Sequence, residues 1–306
     1  MEDSKKWCVI INPTSGNGRS KRLWPKIKLL LEAGQFEFKF RFTEYHHHSI
    51  EIIHQSVYQG FRHFICVGGD GTIHNIVNAI MSQNHIPSTD IHLGVIPIGS
   101  GNDWVKSHQI PKRPEAAIRI IKNGRTAHQD IGKIELENTD RPPIYFNNLA
   151  GVGFDGYVVR KAKHYKHFGA LSYLLGALTG LFSFKNFDLT AQFNSEIITS
   201  KVFMLLIGLC SYSGGGMQLT KDPDPCDGYF DISIAMKFKK SDVLLNVFKL
   251  FNGKITASKK VFTSKTSSIS VSVDETRKPI IEADGEIVGS GNFKVTLIPK
   301  ALSYYK

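Results

Sequence analysis

Gly68-Gly69-Asp70-Gly71-Thr72 joins two segments of different periodicity. Before it lies an apolar run, Phe64-Ile65-Cys66-Val67, which reads as a buried strand. After it, Ile73, Ile76, Val77, Ile80 and Met81 recur at the spacing of one helix face. Three glycines in a strand-to-helix turn let a ligand approach the backbone without obstruction by Cβ atoms. The N–H groups of the turn and of the helix start favour an anion, phosphate above all. Asp70 repels bare phosphate, so its presence implies a bridging metal or a contact to a hydroxyl.

Two further glycine turns follow strands. Trp7 to Ile11 runs into Asn12-Pro13-Thr14-Ser15-Gly16-Asn17-Gly18, and Leu93 to Ile96 runs into Pro97-Ile98-Gly99-Ser100-Gly101-Asn102-Asp103. Leu23, Ile27, Leu30 and Leu31 mark a helix after the first turn. Phe36, Phe38, Phe40 and Phe42 alternate as in a half-buried strand, and a helix is expected over Ile50 to Tyr58. Pro114 opens another helix, carrying Ile118 and Ile121. This βαβα order predicts a doubly wound parallel sheet whose loops converge at the carboxyl ends of the strands. A nucleotide suits such a crevice, although neither a Gly-x-x-x-x-Gly-Lys-Ser/Thr loop nor the Gly-x-Gly-x-x-Gly pattern is present.

Beyond residue 126 strand signals dominate: Ile131 to Leu136, Ile144 to Ala150, Phe187 to Phe193, Lys201 to Cys210, Phe230 to Ala235, Ser268 to Val273 and Phe293 to Ile298. Asn194-Ser195 reads as a hairpin turn, and helices are expected near 155–182 and 240–252. The fold class is therefore α/β: a nucleotide-binding domain over 1–125, then a mainly antiparallel β domain over 126–306. The last strand is free to return to the first domain. A length of 306 residues fits two domains.

The formal net charge of +11 favours an anionic partner. Basic residues are scattered and no aromatic-rich RNA motif occurs, which argues against nucleic acid. Cys8, Cys66, Cys210 and Cys226 lack metal-site spacing, and the first three lie in apolar stretches. No secretory segment precedes the first strand, and the uncharged run from Phe168 to Phe184 is too short to span a bilayer. A cytoplasmic protein without a transmembrane segment is expected. His46-His47-His48 reads as solvated loop histidines.

The second half contributes Gly214-Gly215-Gly216 and the acids Asp222, Asp224, Asp227 and Asp231. The stretch Asp224 to Tyr229 can fold around a hard cation; an ordinary polar turn accounts for the spacing equally well. Near the end, Asp284-Gly285-Glu286 would place both carboxylates on one face of an extended segment, where either can take a proton from a hydroxyl.

Taken in order, Asn12-Pro13-x-Ser15-Gly16-x-Gly18, Gly68-Gly69-Asp70-Gly71-Thr72, Pro97-x-Gly99-x-x-Asn102-Asp103, Gly214-Gly215-Gly216, Asp227-Gly228-x-Phe230-Asp231 and Asp284-Gly285-Glu286 resemble the catalytic family of diacylglycerol and sphingosine kinases, in particular its soluble bacterial lipid kinases. The resemblance runs from about residue 7 to 299. It implies ATP between the domains, surrounded by Asn12, Thr43, Gly68, Gly69, Asp70, Gly71, Thr72, Ser100 and Asn102, with Ser15, Gly16 and Gly18 in the first turn. It implies catalytic roles for Asp70 and Asp284, with Glu286 in support. It also implies a structural Mg²⁺ near Asp224, Asp227 and the Tyr229 carbonyl.

His74, Ser100 and Thr220-Lys221-Asp222 depart from the family pattern. The expected activity is transfer of the ATP γ-phosphate to a hydroxyl of a diacylglycerol-like or sphingoid lipid. Kinases of soluble substrates such as NAD, and inactive nucleotide-binding regulators, are the alternatives. The enzyme would work at a membrane surface as a peripheral protein, with Arg160, Lys161, Lys163 and Lys166 ahead of Leu171, Leu174, Leu175, Leu178 and Leu181 as the docking segment. A homodimer is left open.

Overall fold

The computed structural model describes residues 5–162, 165, 175–176, 179–181, 183–274 and 276–306. By its contacts the chain divides into two units: residues 1–129 with 300–306, and residues 130–299. Most of the expected docking segment, including Lys163, Lys166, Leu171, Leu174 and Leu178, lies outside the described residues.

In the first unit the strands β1 (Lys6–Ile11), β2 (Glu37–Phe42), β3 (His63–Gly68) and β4 (His92–Pro97) are joined by parallel pairing in the order β2-β1-β3-β4. The end of the final strand adds to β4, pairing Ser303 with His92 and Tyr304 with Leu93. The central strands read as unbroken apolar runs because they are covered on both faces. Helices α1 (Ser15–Ala33), α2 (His48–Tyr58), α3 (Asp70–Ser82), α4 (Asp103–Ser107) and α5 (Pro114–Asn123) connect them. Val9, Ile11, Ile65, Val67 and Ile96 point to one face, where they pack on Trp24, Ile27 and Leu31 of α1 and on Ile118 and Ile121 of α5. Each such side chain, fully removed from water, contributes roughly 1.5–3 kcal/mol. Cys66, between Ile65 and Val67 on β3, is buried on the opposite face as a small hydrophobe, and burial pushes its thiol well above the ordinary range.

The second unit is mainly antiparallel, as its strand-after-strand sequence predicts. Its strands are β5 (Thr126–Leu136), β6 (Ile144–Phe146), β7 (Leu149–Gly153), β8 (Phe187–Phe193), β9 (Glu196–Gly208), β10 (Phe230–Met236), β11 (Val261–Thr266), β12 (Ser268–Val273), β13 (Ile280–Ala283), β14 (Glu286–Ser290) and β15 (Phe293–Tyr305). The long β9 pairs with β8 through its first half and with β7 and β10 through its second. Asn194 and Ser195 both adopt positive φ, the geometry of the expected two-residue turn.

Two expectations need revision. The run 144–150 is two strands, because Asn147 and Asn148 turn their backbone N–H groups toward a carboxylate. The strands β11, β13 and β14 are absent from the sequence reading: β11 is only half-buried, and β13 carries a buried glutamate that breaks the apolar alternation.

Candidate active site

Three turns of the first unit interlock at the carboxyl ends of β1, β3 and β4. Asn12 Nδ2 donates to Thr72 Oγ1 at 3.1 Å, and Ser15 Oγ lies 3.2 Å from the same hydroxyl. Residues 16–18 are all left-handed, with φ of 58°, 56° and 78°, so the helix expected after this turn runs on from a left-handed turn. At Gly16 this conformation is combined with close approach: a Cβ would stand 2.3 Å from the Ile98 carbonyl oxygen. Gly69 and Gly99 meet similarly, a Cβ on Gly69 falling 2.7 Å from the Gly99 Cα. Asn102 Nδ2 closes the third turn on the Gly99 carbonyl at 2.8 Å, while its buried Oδ1 has no hydrogen-bond partner among the described residues. Thr43 follows β2 and donates its N–H to the Ile11 carbonyl, which sets it beside the first turn. Ser100 is exposed at the tip of the third.

Asn12, Ser15, Gly16, Gly68, Gly69, Asp70, Thr72 and Asn102 are thus brought together by hydrogen bonds and backbone contact. They form a cradle of glycine backbone and small hydroxyls, the chemistry that accepts phosphates.

Asp70 opens α3 inside this cradle. Its Oδ1 accepts the Trp104 N–H at 3.2 Å. Asp103, which was not among the sequence-nominated residues, is buried beside it: a Cβ at Gly101 would meet Asp70 Oδ2 at 3.0 Å and Asp103 Oδ2 at 3.7 Å. Burial, and then the neighbouring Asp103 carboxylate, push the Asp70 pKa up to about 6; backbone N–H groups of residues 102–104 offset part of this. The signal for Asp103 was present in the sequence as the second acid borne by a glycine turn. His74 is buried with its ring near the Asn78 amide, in the helix just behind Asp70.

The second unit treats its key acid differently. Asp284 and Gly285 are the two corner residues of the β13–β14 hairpin, with φ of 51° and 83°. The segment is therefore a tight turn, and the expected extended face shared by Asp284 and Glu286 does not exist. Aspartate-glycine is the pair that favours this turn, since both corners need positive φ. The corner directs the Asp284 carboxylate at the gap between β6 and β7. There Oδ2 accepts the Asn147 N–H at 3.0 Å, and Oδ1 accepts those of Asn148 at 2.9 Å and Leu149 at 3.1 Å. Glu286 begins β14 and pairs with Ala283 across the hairpin.

Behind the hairpin, Glu282 is fully enclosed and accepts the Gly285 N–H at 2.8 Å. It shares a side-chain hydrogen bond with Asp155, in the first turn of α6 (Phe154–Ala162). Burial raises the pKa of both, Glu282 well above its ordinary value, with the Asp155 charge adding to the shift on Glu282. Neither residue was nominated from sequence.

Asp155 also borders a cavity of about 230 Å³ within the second unit. Phe154, Val158, Phe203, Leu206, Phe238 and Leu250 supply much of its wall. Among the described residues, the polar side chains that line it are Asp155, Ser233 and Asn246, and the Ser233 hydroxyl is buried without a partner among those residues.

The acidic loop does not fit a cation as arranged. Asp224 Oδ1 accepts the Cys226 N–H at 2.9 Å, and Asp227 Oδ1 accepts the Tyr229 N–H at 3.0 Å, so each acid closes its own turn. The other Asp227 oxygen is held by the Lys265 ammonium at 2.6 Å, which also lies 3.5 Å from Asp231. Among the described residues no group of three or more His, Cys, Asp or Glu is disposed to hold a metal. A lysine charge stands where the resemblance implied Mg²⁺.

Comparison with known proteins gives a consistent result. The model of the diacylglycerol kinase catalytic domain matches residues 6–134, and that of the YegS C-terminal NAD kinase beta sandwich-like domain matches 148–306. A diacylglycerol kinase of Staphylococcus saprophyticus is 30% identical over 94% of this chain and 92% of its own length. YtlR, a lipid kinase candidate of Bacillus subtilis, is 29% identical over 97% and 98%. A crystal structure described as a diacylglycerol kinase from Bacillus anthracis superimposes with a TM-score of 0.74 at 18% identity, covering 100% of this chain and 98% of that one, which shows a common fold. Matched in both halves and across nearly its whole length, this chain belongs to the diacylglycerol kinase catalytic-domain family.

Proposed function

We propose that this protein transfers the γ-phosphate of ATP to a hydroxyl of a lipid. The observation that carries the lipid is the cavity beside Asp155, whose described lining, mostly phenylalanine, leucine and valine side chains, suits an acyl chain better than a soluble dinucleotide. Phosphoryl transfer is chiefly positioning and charge neutralisation. The turn residues Asn12, Ser15, Gly68 to Thr72, Ser100 and Asn102 would receive the nucleotide phosphates, with Thr43 at the edge of the same cradle.

Asp70 and Asp103 are the carboxylates suited to a nucleotide-borne Mg²⁺. When bound, that ion neutralises phosphate charge and favours the ionised form of both acids. In the second unit Asp284 would accept the proton of the attacking hydroxyl. Three backbone donors fix the orientation of its carboxylate, the group suited to take up such a proton.

Incubation with radiolabelled ATP, Mg²⁺, a total lipid extract and, separately, NAD tests the reading. A labelled lipid is expected. Labelled NADP in its place would make the protein a kinase of soluble substrates, and nucleotide binding without any product would make it a regulator. Enlarging the cavity wall at Ala235 with tryptophan should raise KM for a long-chain substrate more than for a short-chain one.

A further inference from the structure

The cavity in the second unit is bordered by one continuous segment, residues 243–251, formed by the end of α7 (Lys240–Asn246) and the 3-10 turn Val247–Phe251. Its residues separate into two sets. Val243, Leu244, Asn246, Val247, Leu250 and Phe251 line the cavity. Leu245 and Phe248 do not, and they are 79% and 84% exposed. Leu244 and Phe251 belong to both descriptions, lining the cavity while remaining 49% and 46% exposed. These four residues are among the most exposed large hydrophobic side chains described in the molecule, and they are gathered within eight positions of one another. Isolated exposed leucines are ordinary; four together at the edge of an apolar cavity are not.

Charge distinguishes this patch further. Between residues 237 and 260 the chain carries seven lysines, at 237, 239, 240, 249, 254, 259 and 260, against one acid, Asp242. That acid is held by Lys260 at 2.6 Å and accepts the Lys239 N–H at 2.7 Å. Lys237, Lys239, Lys240, Lys249, Lys254 and Lys259 are exposed. Exposed apolar side chains and exposed lysines carried by the same stretch of chain match the interface of an anionic bilayer, where hydrocarbon sits below a layer of negative headgroups.

We infer that residues 239–254 are the surface by which this protein docks on an anionic membrane, Leu245 and Phe248 entering the bilayer while the lysines meet its headgroups. Leu244 and Phe251 then join bilayer hydrocarbon to the cavity, so that an acyl chain can pass between them without crossing water. The inference takes its purpose from the lipid-kinase reading, but its test requires no catalysis.

The test is sedimentation of nucleotide-free protein with vesicles of phosphatidylglycerol and phosphatidylcholine, and with phosphatidylcholine alone. Wild type should bind the anionic vesicles preferentially. Leu245→Ser with Phe248→Ser should lower the partition coefficient about tenfold or more, as should Lys240→Glu with Lys249→Glu and Lys254→Glu, which leaves the apolar patch in place. Both variants should melt as wild type does. Leu245→Ser with Phe248→Ser, which touches no cavity-lining position, should keep the wild-type rate on a short-chain diacylglycerol dispersed below its aggregation limit. Vesicle binding unchanged in both variants would overturn the inference. Conversion of a dimer to a monomer by the serine variant, with vesicle binding intact, would overturn it too, assigning the patch to a second copy of the chain. Vesicle binding through this surface by a protein that phosphorylates no lipid would sink the functional proposal and leave the docking surface standing.

Discussion

Asp70 and Asp284 are both aspartates of Asp-Gly pairs in turns, and both face runs of consecutive backbone N–H groups. Their surroundings differ in one respect that matters. Asp70 is buried beside a second carboxylate, and its pKa rises to about 6. Asp284 takes three N–H donors from residues 147–149 at 2.9–3.1 Å, and the hairpin corner locks its direction. Two crowded acids suit the nucleotide-borne cation of the proposed reaction. A single acid held by fixed donors suits the base of that proposal. The same residue type is thereby given two environments by its neighbours.

The sharpest way to break this comparison is Asp284→Asn. Removing the base while keeping its shape should lower kcat by about a thousandfold or more with little change in KM for ATP, read by steady-state kinetics. If Glu286→Gln is the inactive variant instead and Asp284→Asn works, the two roles must be exchanged. Asp284→Ala should additionally lower stability by roughly 2–4 kcal/mol in urea unfolding, since three N–H groups lose their acceptor.

Asp70→Asn should also abolish turnover, yet move stability in the opposite direction. Because the folded pKa lies above the unfolded one, the native state retains a proton that the unfolded chain has lost as pH rises from about 4 to about 6. Wild-type stability falls through that window, and the deficit persists at higher pH. The asparagine variant escapes it and should be more stable at pH 7–8 by on the order of 2 kcal/mol, a gain that vanishes below about pH 4. Equal melting temperatures at both pH values would remove the distinction between the two acids.

Gly16→Ala probes the cradle rather than its charge. The left-handed φ and the approach to the Ile98 carbonyl both oppose a Cβ, so KM for ATP should rise severalfold and stability fall by about 1–3 kcal/mol. The smallest effect concerns the acidic loop. With Lys265 already bridging Asp227 and Asp231, EDTA should leave the melting temperature of the nucleotide-free protein unchanged, while Lys265→Met should lower it by a few degrees. A chelator-dependent fall in wild type would restore the metal.

How far each feature could be read follows from how local it is. The three glycine turns were legible because strand, turn and helix are contiguous, and the spacing of Ile73, Ile76 and Val77 reports a helix without reference to anything distant. Asp103 lay in plain view within such a turn, but only its position beside Asp70 gives it significance. Asp284 was legible as an acid of interest, whereas its donors lie about 135 positions earlier. The short strands β13 and β14 escaped detection because Glu282 interrupts the apolar pattern, and its partner Asp155 is in another element.

The sequence by itself determined the order of elements, the parallel first unit, the antiparallel second and the glycine-rich cradle, since periodicity and turn chemistry act over a few residues. Tertiary structure alone decided which acids stand together, which one receives backbone donors, and where Lys265 takes up the charge of the acidic loop. It alone enclosed the apolar cavity, whose walls come from segments spread between residues 154 and 261. Burial and electrostatic neighbourhood depend on contacts between distant segments, and no local pattern records them.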